Sequence, residues 1–385
     1  MRDSRRCFLR SLGASAATIP CSWWSRLALA QTAAGERQAV EPANTGPLVA
    51  EVRDLGLQFL DNPLNITGQD GATSCRLPDG SALWLFGDTI EGKIESIRNH
   101  DLTEVLSNTA AIIEAQDVSA GIKRFEHLRV ADKQRPRQVI RFGPNEDKSR
   151  HRLWPIHSIC VGEFVYAFYH KITMDPEVDV FETFELNGMG IARARIGEYQ
   201  FERLTAPDGS KEFWKGDVPT FGVFVEQLAD GYVYLWGCYW TGMFLARTRA
   251  ASIADLTSYE YLVEAPTSVN PRASVRWDKQ FQPTAPLFDG VPNELSVSYN
   301  PYLKKHVAVH VFHRENMLAL RTAPAITGPW SAEEIFFQPK RISEEDLYTA
   351  GKEHPELRQL GGRVMYVTYV NSSVYVPHLL EVKLR

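Results

Sequence analysis

Cysteine is scarce in this chain: five residues in 385, two of them at the N-terminus. That leaves Cys75, Cys160 and Cys238, an odd number, widely spaced and each in an apolar context. Such thiols read as buried strand residues rather than a disulfide framework, with one bridge as the alternative. There is no C-x-x-C and no H-E-x-x-H, so the common redox and zinc signatures are missing. Positive charge is not in excess either. Forty-two Lys and Arg face 47 Asp and Glu, net −5, which leaves no basic footprint for nucleic acid. Beyond the N-terminus no apolar run is long enough for a membrane-spanning helix. Helical periodicity is also rare, and one short helical turn in "SEEDLYTAGKE" (343–353) is all it predicts.

What is present begins with an export-like leader. "SRRCFLR" pairs Arg5 with Arg6, a weakly apolar stretch follows, and Ala28-Leu29-Ala30 fits a cleavage site before Gln31. The pattern resembles a twin-arginine signal and implies a periplasmic or secreted protein. A retained basic N-terminus is the alternative. "TIPC" before Cys21 is a poor lipoprotein signal. Residues 1–30 are therefore read as signal, 31–48 as a small, polar linker and 49–385 as the folded domain.

That domain repeats. Five aromatic-rich strands stand out: "ALWLFGD" (82–88), "FVYAFYH" (164–170), "YVYLWGCY" (232–239), "HVAVHVFH" (306–313) and "RVMYVTYV" (363–370). Each follows a turn and an earlier strand: "GATSCRL", "IHSICV", "FGVFVEQL", "ELSVSYN" and "HPELRQL". Third strands come after them. Outer strands are expected at "RQVIRFG", "FERLTA", "YEYLVE" and "EEIFFQ", with the fifth supplied by "LGLQFL" (55–60) from the N-terminal side. The aromatic strands are apolar at nearly every residue, so both their faces must be covered. Sheets stacked face to face around an axis do this, and the expected fold is all-β, a five-bladed β-propeller. A pair of β-sandwiches is the alternative.

Leu77-Pro78-Asp79-Gly80-Ser81 reads as a three-residue hairpin turn, with Gly80 in the left-handed position. Leu77 then pairs with Ser81, and continuing that register sets Asp70 opposite Asp88. Facing residues on one side of a sheet have Cβ atoms about 4.5–5.5 Å apart. Two carboxylates so close are unfavourable unless used, and glycosidases use such pairs as acid and nucleophile or base. Asp70 capping a turn and Asp88 ending a strand is the plainer alternative, and Gly68 or Gly71 is placed to bend the strand. Glu294, before "LSVSYNP", is a possible third acid at the start of an inner strand, with a strand-edge carboxylate making a salt bridge as the alternative.

His157 and His354 occupy comparable positions in blades two and five, and His170 ends a second strand as Asp88 does; they are candidate partners for sugar hydroxyls, with satisfied structural histidines as the alternative. Trp154, Tyr169, Tyr239 and Trp240 sit near strand or loop ends, and Trp240 is the preferred sugar platform. A metal held by these histidines and carboxylates has no supporting ligand spacing, so no metal and no cofactor are expected. Arg272 or Arg314 as a phosphate pocket would instead suit a glycoside phosphorylase. The long insertions after His170 and Glu264 read as loops that shape a site.

"GQDGATSCRLPDGSALWLFGDT", together with "NELSVSYNPYLKKHVAVHVFHRENMLALRTAPAITGPWS", resembles a bacterial domain-of-unknown-function family of five-bladed propellers whose members include endo-D-arabinanases. The resemblance covers most of the chain after Val49. It implies a furanose-acting hydrolase with essential aspartates in the first blade, matched here by Asp70 and Asp88. In the "RTAPAITGPWS" stretch, Arg321 and Trp330 are implied to be structural. The reading is an exported glycoside hydrolase acting on an arabinan-like polysaccharide or oligosaccharide, as a monomer, with Asp70, Asp88 and Glu294 as catalytic residues. A non-catalytic glycan-binding propeller is the competing class.

Overall fold

The turn at Pro78–Gly80 sets the first register, as its residue types require. Leu77 N–H donates to Ser81 O at 2.8 Å, and Asp79 Oδ1 accepts from Ser81 N at 3.0 Å. Thr73 then pairs with Leu85, Ser74 with Trp84, Cys75 with Leu83 and Arg76 with Ala82. The same register reappears beyond Asp70, where Gln69 pairs with Thr89. The computed structural model describes residues 48–96, 99–174, 184–291, 293–312, 316–344 and 346–385. The expected signal, nearly all of the linker, Arg314 and the middle of the insertion after His170 lie outside the described residues.

Five antiparallel sheets follow one another, with strands in chain order across four of them and the N-terminal strand at the edge of the fifth. Blade one comprises Thr73–Arg76, Ala82–Phe86, Thr109–Ile113 and Phe125–His127. Blade two comprises His151–Val161, Phe164–Met174, Phe184–Arg195 and Glu202–Arg203, with Glu212–Trp214 also on its third strand. Blade three runs Thr220–Gln227, Tyr232–Tyr239, Gly242–Arg249, Glu260–Glu264 and Arg276–Asp278. Blade four holds Leu295–Asn300, Lys305–Phe312, Met317–Ala323 and Glu334–Phe337. Blade five holds Tyr348–Glu353, Val364–Asn371 and Pro377–Leu384, and its outer strand is the N-terminal Val49–Leu57. The architecture is the five-bladed β-propeller that the repeat predicts. A three-stranded sheet, Ile66–Gln69, Thr89–Ser96 and Asn99–Leu106, rises from blade one.

Three strand assignments are corrected. Blade one's outer strand is Phe125–His127, not "RQVIRFG", within which Asn108 Oδ1 accepts from Val139 N and Ile140 N. The strand that completes blade five begins six residues before "LGLQFL". Its inner strand is Tyr348–Glu353, within the stretch expected to be helical. "HPELRQL" instead forms two short 3-10 turns at Pro355–Leu357 and Leu360–Gly362. Pro355 explains the difference, because it lacks the N–H a ladder needs and suits the first position of a helical turn.

The aromatic second strands are buried because blades cover both their faces. Every residue of Ala82–Phe86 is buried, and Trp84 and Trp236 are among the largest fully enclosed side chains. Each large side chain so buried contributes roughly 1.5–3 kcal/mol. Trp330 packs edge-on against Trp236, and the Arg321 guanidinium sits 5.1 Å over Phe288 while pairing with Glu333. Those two residues are structural, as the resemblance implies. Cys75, Cys160 and Cys238 are unbridged. Blade five meets blade one through His354, which stacks on Trp84 at 4.0 Å and lies 2.7 Å from Ser74 Oγ. No helix among the described residues is long and apolar enough to cross a membrane.

Candidate functional site

Asp70 and Asp88 stand where the blade-one ladder passes into the three-stranded sheet. Their backbones face each other as the register demands: Asp70 N–H donates to Asp88 O at 3.2 Å and Gly87 N–H to Asp70 O at 2.8 Å. Between them and the blade, Gly71 and Ala72 take φ of 84° and 47°. Two successive left-handed residues interrupt the pleat, so facing side chains no longer project together.

The carboxyl groups consequently find different company. Asp88 is buried, its side chain 1% exposed; Oδ1 accepts from Trp154 Nε1 at 2.9 Å and lies 3.3 Å from Arg152 Nε. Burial raises its pKa, and Arg152 and Trp154 oppose the rise. Asp70 keeps part of its surface open. Its Oδ1 accepts from Gly71 N at 2.7 Å and from Thr349 Oγ1 at 3.1 Å. Burial of the carboxyl, then the negative charge of Glu294, push its pKa up to about 7. The carboxylate acting most on Asp70 is thus Glu294 of blade four. The backbones of Asp70 and Asp88 thus meet as expected, while Glu294 is the carboxylate whose charge raises Asp70 further.

Glu294 directly precedes its inner strand, as the sequence suggested, and is 17% exposed. Asn293 before it holds φ at 130°, a conformation costing a non-glycine residue about 1–3 kcal/mol. Asn293 Nδ2 lies 3.5 Å from His170 Nδ1. His170 pairs across the ladder with Trp154, so blade two delivers both to this rim. His170 is buried, its Nε2 has no hydrogen-bond partner, and burial plus the charge of Lys352 push its pKa down to about 3. It is a neutral, enclosed ring against Asn293, 1% exposed, so the expectation that it meets sugar hydroxyls is corrected.

Lys352 completes the group, and the sequence reading missed it. Its Nζ lies 2.5 Å from Glu294 Oε2 and donates to Gly71 O at 3.3 Å and Ile156 O at 3.2 Å. No signal in "TAGKEHP" marks it, because its placement depends on a strand expected to be a helical turn. Thr349 and Arg152 were missed for the same reason: nothing local distinguishes them.

The remaining candidates lie elsewhere. His354 is corrected: Ser74 Oγ and Thr368 Oγ1 each lie 2.7 Å from one of its ring nitrogens, so neither nitrogen is left for a sugar. His157 is buried on Phe224, ring centres 4.0 Å apart, and its Nδ1 accepts from Val225 N at 3.3 Å. Burial and Lys352 push its pKa well down. It supports the interface of blades two and three rather than facing the carboxyl pair. Tyr169 is likewise buried, and its hydroxyl donates to Lys211 O. Trp240, 38% exposed, forms the turn between the second and third strands of blade three, at the rim where inner strands begin. Arg272 is exposed in the loop after Glu260–Glu264. Among the described residues no three His, Cys, Asp or Glu side chains are grouped to hold a metal.

Fold and site together define a β-propeller with acidic residues at one end of its inner strands. The chain belongs to the family described as a domain of unknown function, DUF4185, whose profile matches residues 60–379. Among solved structures, it is similar to a Bacteroides ovatus protein provisionally described as a hydrolase, at 16% identity and a TM-score of 0.58, over 86% of this chain and 87% of that one. At that identity the likeness speaks to fold. Two further similarities are a GH43_1 enzyme from Xanthomonas citri complexed with xylose (12%, TM-score 0.48, 88% and 91% covered) and the catalytic domain of a Coprinopsis cinerea GH62 α-L-arabinofuranosidase (10%, TM-score 0.44, 88% and 95% covered). No curated protein matches the chain.

Proposed function

We propose that this protein is a glycoside hydrolase acting on a furanose-containing, arabinan-like glycan. One arrangement carries the reading: at the rim where inner strands begin, burial and the charge of Glu294 raise the pKa of Asp70 to about 7, and Glu294 is itself 17% exposed and held by Lys352. Asp70 keeps its proton near neutral pH and donates it to the departing glycosidic oxygen. Glu294, paired with the Lys352 ammonium, is the second carboxylate and acts on the sugar or on a water. Asp88 orients Trp154 and holds Arg152 at the wall of the site. The Trp154 ring, held by Asp88, is placed to meet a sugar face, while the enclosed His170 backs Asn293 beside Glu294. The furanose preference rests on the family resemblance in blade one.

Incubation of the purified protein with arabinan tests this through new reducing ends. Asp70→Asn and Glu294→Gln should each fold and lose about 10³-fold in turnover. Arabinan that binds but is never cut would instead define a glycan-binding propeller. Export by the twin-arginine route is also proposed, supported by Arg5-Arg6 and the Ala28–Ala30 pattern. Replacing both arginines by lysine should leave precursor in the cytoplasm; unchanged export would refute it.

A further inference from the structure

Four blades converge on a positive charge that the chain itself supplies. The three oxygens around Lys352 Nζ belong to blade four (Glu294 Oε2), blade one's leading turn (Gly71 O) and blade two (Ile156 O). The lysine comes from blade five and its side chain is 2% exposed. Both carbonyls come from places where pairing lapses. Gly71 lies in the left-handed break before blade one, and Ile156 is the extra residue between the paired Pro155 and His157.

The lysine strand is irregular too. Ala350 and Gly351 form a bulge between Thr349, paired with Val370, and Lys352, paired with Thr368. A bulge re-aims the side chains after it. Only glycine fits the second position, because a Cβ at Gly351 would sit 2.8 Å from Val311 N of blade four. Filling this space would need only an apolar side chain, and burying an ammonium is costly unless oxygens surround it. The charge is felt across the rim: it opposes the rise of Asp70 and depresses His157, His170 and His354.

We propose that Lys352 is the resident counter-cation of this propeller, its ammonium filling an oxygen-lined position between blades and thereby positioning Glu294 against Asp70. It is a positioning residue. Its effect on turnover rests on the hydrolase reading above, whereas the cation position does not.

The test uses the purified full chain carrying Lys352→Ala, unfolded thermally with n-propylammonium chloride, with propanol or with sodium chloride. The variant should melt about 10 °C below wild type. Propylammonium should restore part of that loss, and neither propanol nor sodium chloride should. The double variant Lys352→Ala/Glu294→Gln should not respond to the amine. A wild-type melting point in Lys352→Ala, or equal rescue by propanol, would overturn the proposal. Should Lys352→Ala not fold, Lys352→Met is compared with Lys352→Met/Glu294→Gln. The double variant should be the more stable, because it leaves no unpaired carboxylate; equal stability would overturn the idea. For turnover, Lys352→Met should lower kcat about 100-fold with KM little changed. Lys352→Arg should recover part of it, and the alkaline limb of the pH profile should move up in the methionine variant. An unmoved limb would reduce Lys352 to scaffolding. If wild type cuts no glycan, the hydrolase reading fails while the melting experiments still decide the cation.

Discussion

The two ends of the inner strands solve the same electrostatic problem differently. At their far ends, Arg358 grips Glu353 with two bonds, Nε to Oε1 at 2.6 Å and Nη2 to Oε2 at 2.8 Å. Nη1 donates to Tyr299 O and Nη2 also to Ser298 Oγ, so every guanidinium nitrogen has an acceptor. At their starts, Lys352, whose backbone lies next to Glu353 but whose Nζ reaches Glu294 and Gly71, gives Glu294 a single close contact and leaves Asp70 with only Gly71 N and Thr349 Oγ1. A planar fork locks a carboxylate, whereas a point charge leaves part of one available. Glu226, near Arg358, also has a pKa pushed up to about 7, by burial and then the neighbouring Glu353. A raised pKa therefore does not mark the site by itself; at the starts it coincides with a second carboxylate, Glu294, that keeps part of its surface open.

The largest contrast is expected between Glu294→Gln and Glu353→Gln. The first should lose about 10³-fold in turnover and keep its fold. The second leaves the half-buried Arg358 without its enclosed carboxylate partner and should lose about 3 kcal/mol of stability, with the folded fraction turning over normally. Denaturant melts and single-turnover rates on both variants check this. Equal kinetic damage from both would erase the distinction.

Next comes pH. On the proposed mechanism turnover requires the Asp70 proton, so it should fall as pH rises through about 7. Stability moves the same way. The folded pKa lies above the ordinary 3.8, so the unfolded chain releases this proton first, and stability is lost between about pH 4 and pH 7. Asp70→Asn removes that loss. Its melting temperature relative to wild type should climb across this window and then level. A gap independent of pH would mean that Asp70 titrates normally.

The smallest effect belongs to Glu226→Gln, which should change turnover less than about twofold, since no reacting group lies near it. A large kinetic loss would relocate the active end.

Much of the fold was legible because its signals are local. The Pro78-Asp79-Gly80 turn set a register that holds on both sides of Asp70, and five doubly buried aromatic strands counted the blades. Blade five's inner strand escaped because "TAGKE" carries a bulge and no alternation. Lys352 and Thr349 escaped with it. Asp70 and Glu294 were legible as strand-start acids, but their partnership was not. It depends on the left-handed step at Gly71-Ala72, where glycine was suspected but the alanine gave no warning. His354 misled because its strand position was inferred from a segment that turns instead.

The most direct measurement is a carbon-13 NMR titration of carboxyl groups in wild type and in Asp70→Asn. The resonance missing from the variant should titrate near pH 7 in wild type. A midpoint near 4 would contradict the proton-bearing role of Asp70, and with it the acid pair.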